Sequence, residues 1–165
     1  MEGGLTHRDS MGQIETVTPN TIQLMSAGTG VVHSEFNASQ SKPVHLLQVW
    51  IVPEREDVEP SYQQISFTAE EKQGKLRLLA GPKHVQGSAA MNQDARIYAS
   101  FLRGGERLEH TLGTGRHAWV QVAQGTLTVN GVELETGDGA ALSDESRLDL
   151  AGKGAGAEFL LFDLA

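Results

Sequence analysis

The sequence predicts an all-β protein, and three observations carry that prediction. Nineteen glycines divide the 165 residues into short runs. Those runs are rich in β-formers and alternate in polarity, with little helical spacing. Asn130-Gly131, set between the alternating runs 126–129 and 132–135, supplies the two positive φ angles that a type I′ hairpin turn needs.

Taken in order, residues 21–25, 30–36 and 44–52 read as strands. In the last, His45, Leu47, Val49 and Ile51 share one face, while Leu46, Gln48 and Trp50 share the other. Both faces are largely apolar, so this strand is expected to be covered on both sides. Residues 53–64 (PEREDVEPSYQQ) are polar, carry two prolines and lack periodicity, which predicts a linker. The second half begins near Ser61. Residues 69–74 read as a helical turn or a charged loop, 75–80 as a strand and 81–93 as loop-rich. Strands follow at 95–102, 106–112 and 119–122. After Gly125 come 126–129 and 132–135, then a Gly137-Asp138-Gly139 turn into 140–142. Residues 147–150 and 158–162 finish the set. Seven or so short strands in one half predict a complete small barrel or sandwich. The expected domains are therefore 1–60, linker included, and 61–165.

Composition narrows the class. The length allows one or two small domains with a real core. Hydrophobic residues make up 39% and charged residues 21%, the balance of a soluble globular chain. No apolar run approaches bilayer length, and Met1-Glu2-Gly3-Gly4 does not open like a signal peptide. With no cysteine there is no disulfide framework, thiolate metal site or Cys nucleophile. The expected location is cytoplasmic, with no membrane contact. A formal net charge of −8 argues against nucleic-acid binding, which needs a basic face.

Residues 28–37 (GTGVVHSEFN) carry the chemistry. A Gly-rich turn feeds a β-type run in which His33 and Glu35 project from one face, Ser34 and Phe36 from the other. A neutral imidazole beside a carboxylate is half of a first-row transition-metal site; most surface His and Glu nonetheless bind nothing. His7, ahead of Arg8-Asp9-Ser10 and a turn, is expected to be a partly exposed hydrogen-bonding residue. His45 is expected to be a core histidine with one satisfied nitrogen, or else a substitute ligand. Gln48 needs a partner if buried. His84, His110 and His117 sit in polar contexts and receive no role.

Gly28-x-Gly30-x-x-His33-x-x-x-Asn37 resembles the second conserved motif of the cupin superfamily, with Gly28 where many cupins have Pro. Four further stretches narrow the resemblance to the pirin family and its quercetin 2,3-dioxygenase-like bacterial members. They are Glu2-Gly3-x-x-x-His7-Arg8-Asp9-Ser10-Met11-Gly12, Gln23-Leu24-Met25-Ser26-Ala27, His45-Leu46-x-Gln48-x-Trp50-Ile51-x-Pro53 and Leu160-Leu161-Phe162-Asp163-Leu164. The resemblance spans nearly the whole chain. It implies a bicupin of two jelly-roll β-sandwich barrels, the C-terminal one complete and structural, the N-terminal one incomplete.

The family holds one metal with a His-x-His pair, a third His and a Glu. His33 and Glu35 match the last two. No His-x-His occurs in this sequence, and the family's pair would lie N-terminal to Met1. By resemblance the cofactor is a divalent metal, Fe(II) first, and the substrate a flavonol-like small molecule whose ring is cleaved with O₂. Glu35 would then have a second role as general base. Enzyme activity would require the missing ligands to be supplied. The alternatives are a binding or regulatory module, and a structural protein with a vestigial site. A homodimer or a complementing N-terminal chain is expected over residues 1–52, where an incomplete barrel leaves strand edges open.

Overall fold

The Asn130-Gly131 hairpin forms as the sequence requires, with φ of 46° and 84° at the two turn residues. It joins β10 (His117–Val129) to β11 (Val132–Glu135) in the computed structural model, which describes residues 2–165. Met1, where the first expected domain begins, lies outside the described residues. In chain order the other strands are β1 (Leu5–Asp9), β2 (Ile14–Val17), β3 (Thr21–Ser26), β4 (His33–Asn37), β5 (Ser61–Ser66), β6 (Arg77–Pro82) and β7 (Ala89–Met91). They are followed by β8 (Ala95–Leu102), β9 (Arg107–Thr111), β12 (Gly139–Leu142) and β13 (Arg147–Leu164). The charged stretch after Thr68 is a short 3-10 turn, Ala69–Glu71. The chain is all-β as expected. No helix among the described residues is long and apolar enough to cross a membrane.

The described chain falls into two units. One comprises the residues up to Phe67 with Pro82–Gln93; the other comprises Thr68–Gly81 with Asp94–Ala165. The second unit is built on two long strands. The early part of β10 lies between β12 and the end of β13; its late part lies between β11 and the start of β13. β13 in turn pairs with β8 along Ala157–Leu164 and with β9 along Arg147–Ala151. Each long strand therefore serves two parts of a sandwich and must bend between them. The bend falls at Val122–Thr126, where the register shifts twice. Gly125 sits there at φ 85°, and a Cβ on it would stand 1.9 Å from the Gly156 carbonyl oxygen. Only glycine fits so close an approach in the left-handed region.

Inside the sandwich, Leu102, Val120, Leu127, Leu148, Phe159 and Leu161 are wholly buried and form one cluster. Fully burying such side chains contributes roughly 1.5–3 kcal/mol each. The second half thus has its own core. The two runs expected at 147–150 and 158–162 are one strand, β13, which continues through its bend although its register on β10 jumps from Lys153 to Ala157.

The first unit contains two small sheets, β2-β1-β4 and β3-β5. β7 is held to β5 by side chain rather than ladder: the Gln63 amide donates to Ala90 O (2.8 Å) and accepts from Ala90 N (2.9 Å). Three expectations are corrected here. Residues 44–52 form no strand, since only His45 finds a bridge partner, Glu2. Apolar character on both faces shows a tendency to be covered, but a strand also needs a neighbour for its N–H and C=O groups. Trp50 and Val52 are instead 89% and 81% exposed. The linker expected over 53–64 stops at Pro60, because β5 pairs with β3 from Ser61 to Ser66. The boundary expected at 60/61 shifts for the same reason, so residues 61–67 belong with the first unit.

Candidate functional site

The site lies within the first unit, and its placement follows from strand register. β1 and β4 run antiparallel, with His7 opposite Glu35 and Asp9 opposite His33. Residues opposite one another share a face, as do residues two apart. All four therefore project from one side of the sheet. Gln23 from β3 and Tyr62 from β5 meet them there.

Local sequence explains how the strands are held. Asp9 Oδ1 accepts the backbone N–H groups of Met11 (2.9 Å) and Gln13 (3.0 Å), which shapes the turn from β1 into β2. Ser10 clasps the entry to β4: its N–H donates to Val32 O (2.8 Å), and its hydroxyl accepts from Val32 N (3.2 Å). The Gly-rich turn is anchored by Thr29 N–H donating to Val58 O (3.0 Å) and Gly30 N–H donating to Ala27 O (2.8 Å). Gly28 sits at φ 51°, where a Cβ would stand 2.0 Å from Val58 O. The Pro common at this cupin position has its φ fixed negative and cannot replace it here.

At the centre is His7, fully buried rather than partly exposed as expected. The residue sits on a central strand whose face is covered by β3 and β5, a pairing that its turn-like sequence neighbours did not reveal. Its Nε2 lies 3.0 Å from Asp9 Oδ2. Its Nδ1 lies 3.3 Å from Gln23 Nε2 and 3.6 Å from Glu35 Oε1. The imidazole stacks with the rings of His33 (centroids 5.5 Å apart) and Tyr62 (5.0 Å). Gln23 Nε2 also donates to Glu35 Oε1 at 2.9 Å. The Tyr62 hydroxyl has Gln64 Oε1 at 2.9 Å and Gln23 Oε1 at 3.3 Å as acceptors.

Burial pushes the Asp9 carboxyl up. The His7 hydrogen bond and the N–H groups of Gln13 and Met11 outweigh that effect and hold it below the ordinary carboxylate value. Tyr62 is pushed above the ordinary phenol value by burial first, then by the negative charges of Glu15, Asp9 and Glu35.

His33 and Glu35 thus share a face as expected; His33 is exposed and the Glu35 side chain keeps 21% of its surface open. His45 is exposed rather than in the core, because the strand that would have buried it does not form. It is tied to Glu2 by backbone alone, at 2.9 and 3.2 Å. Gln48 finds a partner although it is exposed, donating to Glu35 Oε2 at 3.4 Å. Gln23 and Tyr62 were missed by sequence reasoning; β alternation placed Gln23 on a face but could not say which face met His7. His110, also left without a role, accompanies Arg116 on the buried Asp163 carboxylate in the second unit, with Nε2 3.1 Å from Oδ2.

Whether these residues fit the family's metal can be tested on the donor set. His33 and Glu35 are two donors. His7, the nearest third, has Nε2 committed to Asp9 and Nδ1 facing the Gln23 amide. No group of three or more His, Asp or Glu side chains among the described residues is disposed to hold an ion. A protein-held site usually takes three or more. The described residues do not by themselves close such a site.

An all-β chain with a cupin-type His and Glu on one strand face defines a cupin protein. Residues 1–51 match the pirin family, and residues 78–164 match the family described as quercetinase C-terminal cupin domain. Quercetin 2,3-dioxygenase of Escherichia coli K12 is 41% identical over 164 residues, covering 99% of this chain and 69% of that protein. A pirin-like protein of Caulobacter vibrioides is 32% identical over 165 residues, covering 99% and 70%. Among solved structures, YhhW from Escherichia coli superposes with a TM-score of 0.93 at 39% identity, over 100% of this chain and 69% of that one. The nickel(II) complex of YhhW gives 0.91 at 38% identity, over 99% and 69%. The chain belongs to the pirin family.

Proposed function

We propose that His33 and Glu35 are two donors of a divalent-metal centre, Fe(II) foremost, serving quercetin 2,3-dioxygenase-type chemistry on a flavonol-like substrate. Donors supplied from outside residues 1–165 complete the centre. The observation that carries the reading is register: His33 and Glu35 share a face with the buried His7–Asp9 pair, in a chain 41% identical to a quercetin 2,3-dioxygenase. Glu35 suits the role of proton acceptor for a substrate hydroxyl, because its carboxylate is partly open and is held by the Gln23 and Gln48 amides.

The test is titration of Ni(II) and Fe(II), by calorimetry, into the 165-residue chain and into a form extended upstream, followed by an aerobic quercetin assay. The expected result is weak or no binding and no turnover for the chain alone. The extended form should bind stoichiometrically and lose that binding on His33→Ala. Tight binding by the chain alone would overturn the need for further donors. An extended form indifferent to His33→Ala would overturn the assignment of the donor.

A second reading rests on a separate observation. Val32, Phe36, Val49, Trp50 and Val52, all in the first unit, expose 44–89% of their surface. We propose that a polypeptide, either a second copy or a complementing segment, covers them; large exposed apolar surface marks interaction sites. Light scattering at rising concentration tests this, and a monomer throughout would refute self-association.

A further inference from the structure

We propose that Gln23 and the His7–Asp9 pair are positioning residues that set the orientation of Glu35 and His33 through a fixed histidine tautomer. This rests on the reading of Glu35 and His33 as donors.

The argument runs outward from Asp9. Its carboxylate is fully buried at the side chain and acts only as an acceptor, with Oδ1 taking two backbone N–H groups. The atom that faces Oδ2 must therefore carry a proton, and that atom is His7 Nε2, at 3.0 Å. In a neutral ring the other nitrogen is then an acceptor. The polar group 3.3 Å from Nδ1 must be a donor, so the Gln23 side chain turns its NH₂ toward His7. That orientation leaves the same NH₂ to donate to Glu35 Oε1 at 2.9 Å, and turns Gln23 Oε1 toward the Tyr62 hydroxyl. Glu35 is held from one side by an amide whose direction satisfies both of its neighbours at once, the His7 Nδ1 acceptor and the Glu35 carboxylate.

The same imidazole stacks on His33 and on Tyr62. His7 thus touches both proposed donors without being one. Outer groups that hydrogen-bond a ligating carboxylate orient it, and their loss typically weakens metal affinity 10–100-fold.

The test is NMR of the 165-residue chain labelled with ¹⁵N and ¹³C in His, Gln and Glu. The ion-free wild type should show His7 as the Nε2–H tautomer and Glu35 in one rotamer. Gln23→Met removes the amide donor at nearly constant volume. It should leave the tautomer unchanged while Glu35 averages over rotamers. Asp9→Asn keeps an oxygen for the two backbone N–H groups and puts an NH₂ opposite Nε2. His7 should then switch to the Nδ1–H form. A wild-type His7 in the Nδ1–H form, or a Glu35 equally ordered with and without the Gln23 amide, overturns the proposal. The wild-type spectrum decides the tautomer even where a variant fails to fold.

Co(II) titration of the form extended upstream, in which the centre should close, reads the donors separately. Paramagnetic broadening should centre on His33 and Glu35, with affinity falling at least about 10-fold in Gln23→Met. Unchanged affinity there overturns positioning. Broadening at neither residue in the extended form sinks the donor reading, and the ion-free rotamers of the 165-residue chain then decide positioning on their own.

Discussion

Replacing Gly125 by Ala tests whether the bend of β10 holds the second unit together. The residue sits at φ 85°, in the left-handed region, which costs an L side chain about 1–2 kcal/mol. The new Cβ would stand 1.9 Å from Gly156 O, 2.9 Å from its carbonyl carbon and 3.1 Å from Ala157 Cα. All three are backbone atoms of β13, so no side chain can swing away, and the strand itself must shift. Overpacking of that kind adds about 1–3 kcal/mol. The expected loss is about 2–5 kcal/mol, a large part of the roughly 5–15 kcal/mol that holds a domain folded. With a urea m-value of about 2 kcal/mol/M, the unfolding midpoint should fall by about 1–2.5 M. Gly131→Ala is the control: φ is 84°, but nothing lies within 4 Å, so only the backbone strain remains. Trp119, on β10, reports unfolding by fluorescence in a Trp50→Phe background, since the chain holds two Trp. Equal midpoints for the two glycine variants would refute the close-approach argument.

Acid unfolding should carry the signature of Asp9. Its folded pKa lies below the ordinary value, so its stabilisation is present above that value and fades as pH falls through the folded one. The gap between wild type and Asp9→Asn in urea midpoint should therefore be widest near neutrality and narrow below about pH 4; a constant gap would contradict this. Both tyrosines should titrate late. Burial raises Tyr62, with help from Glu15, Asp9 and Glu35; burial and then Asp163 raise Tyr98 against the opposing charges of Arg96 and Arg116. Ultraviolet absorbance should show no phenolate forming with a midpoint at or below about 10, and a Tyr62→Phe chain identifies the other group. Limited proteolysis should cut first between residues 46 and 60, which lack strand and are largely exposed; first cuts within β10 or β11 would argue against a protected second unit.

What the sequence revealed and what it hid separate along one physical line. Alternation and turn chemistry are local, so the ranges of β3, β8 and β11 and the Asn130-Gly131 turn were readable almost to the residue. Partner choice is not local. Residues 44–52 have the composition of a covered strand and no ladder neighbour beyond Glu2, while 61–64, read as the end of a linker, pair fully with β3. The site divides the same way. His33 and Glu35 needed only their spacing of two along a strand. His7 needed the knowledge that β1 runs antiparallel to β4 with its imidazole opposite Glu35, a pairing that local alternation does not reveal.

The two units spend the same alternation differently, and that difference argues for where function lies. In the second, the inward positions of β10 and β13 are Val, Leu, Ala and Phe, and the chief exception, Asp163, is tied to Arg116 and His110. In the first, inward positions hold His7, Asp9, Gln23 and Tyr62 instead of an apolar core. Buried polar groups contribute little net stability even when satisfied, about 0.5–1.5 kcal/mol per hydrogen bond, and are costly when left unmade. A small unit that places four of them where a core would stand gives up packing that it needs. Such an interior is explained by what it orients: the two open groups at its edge, His33 and Glu35.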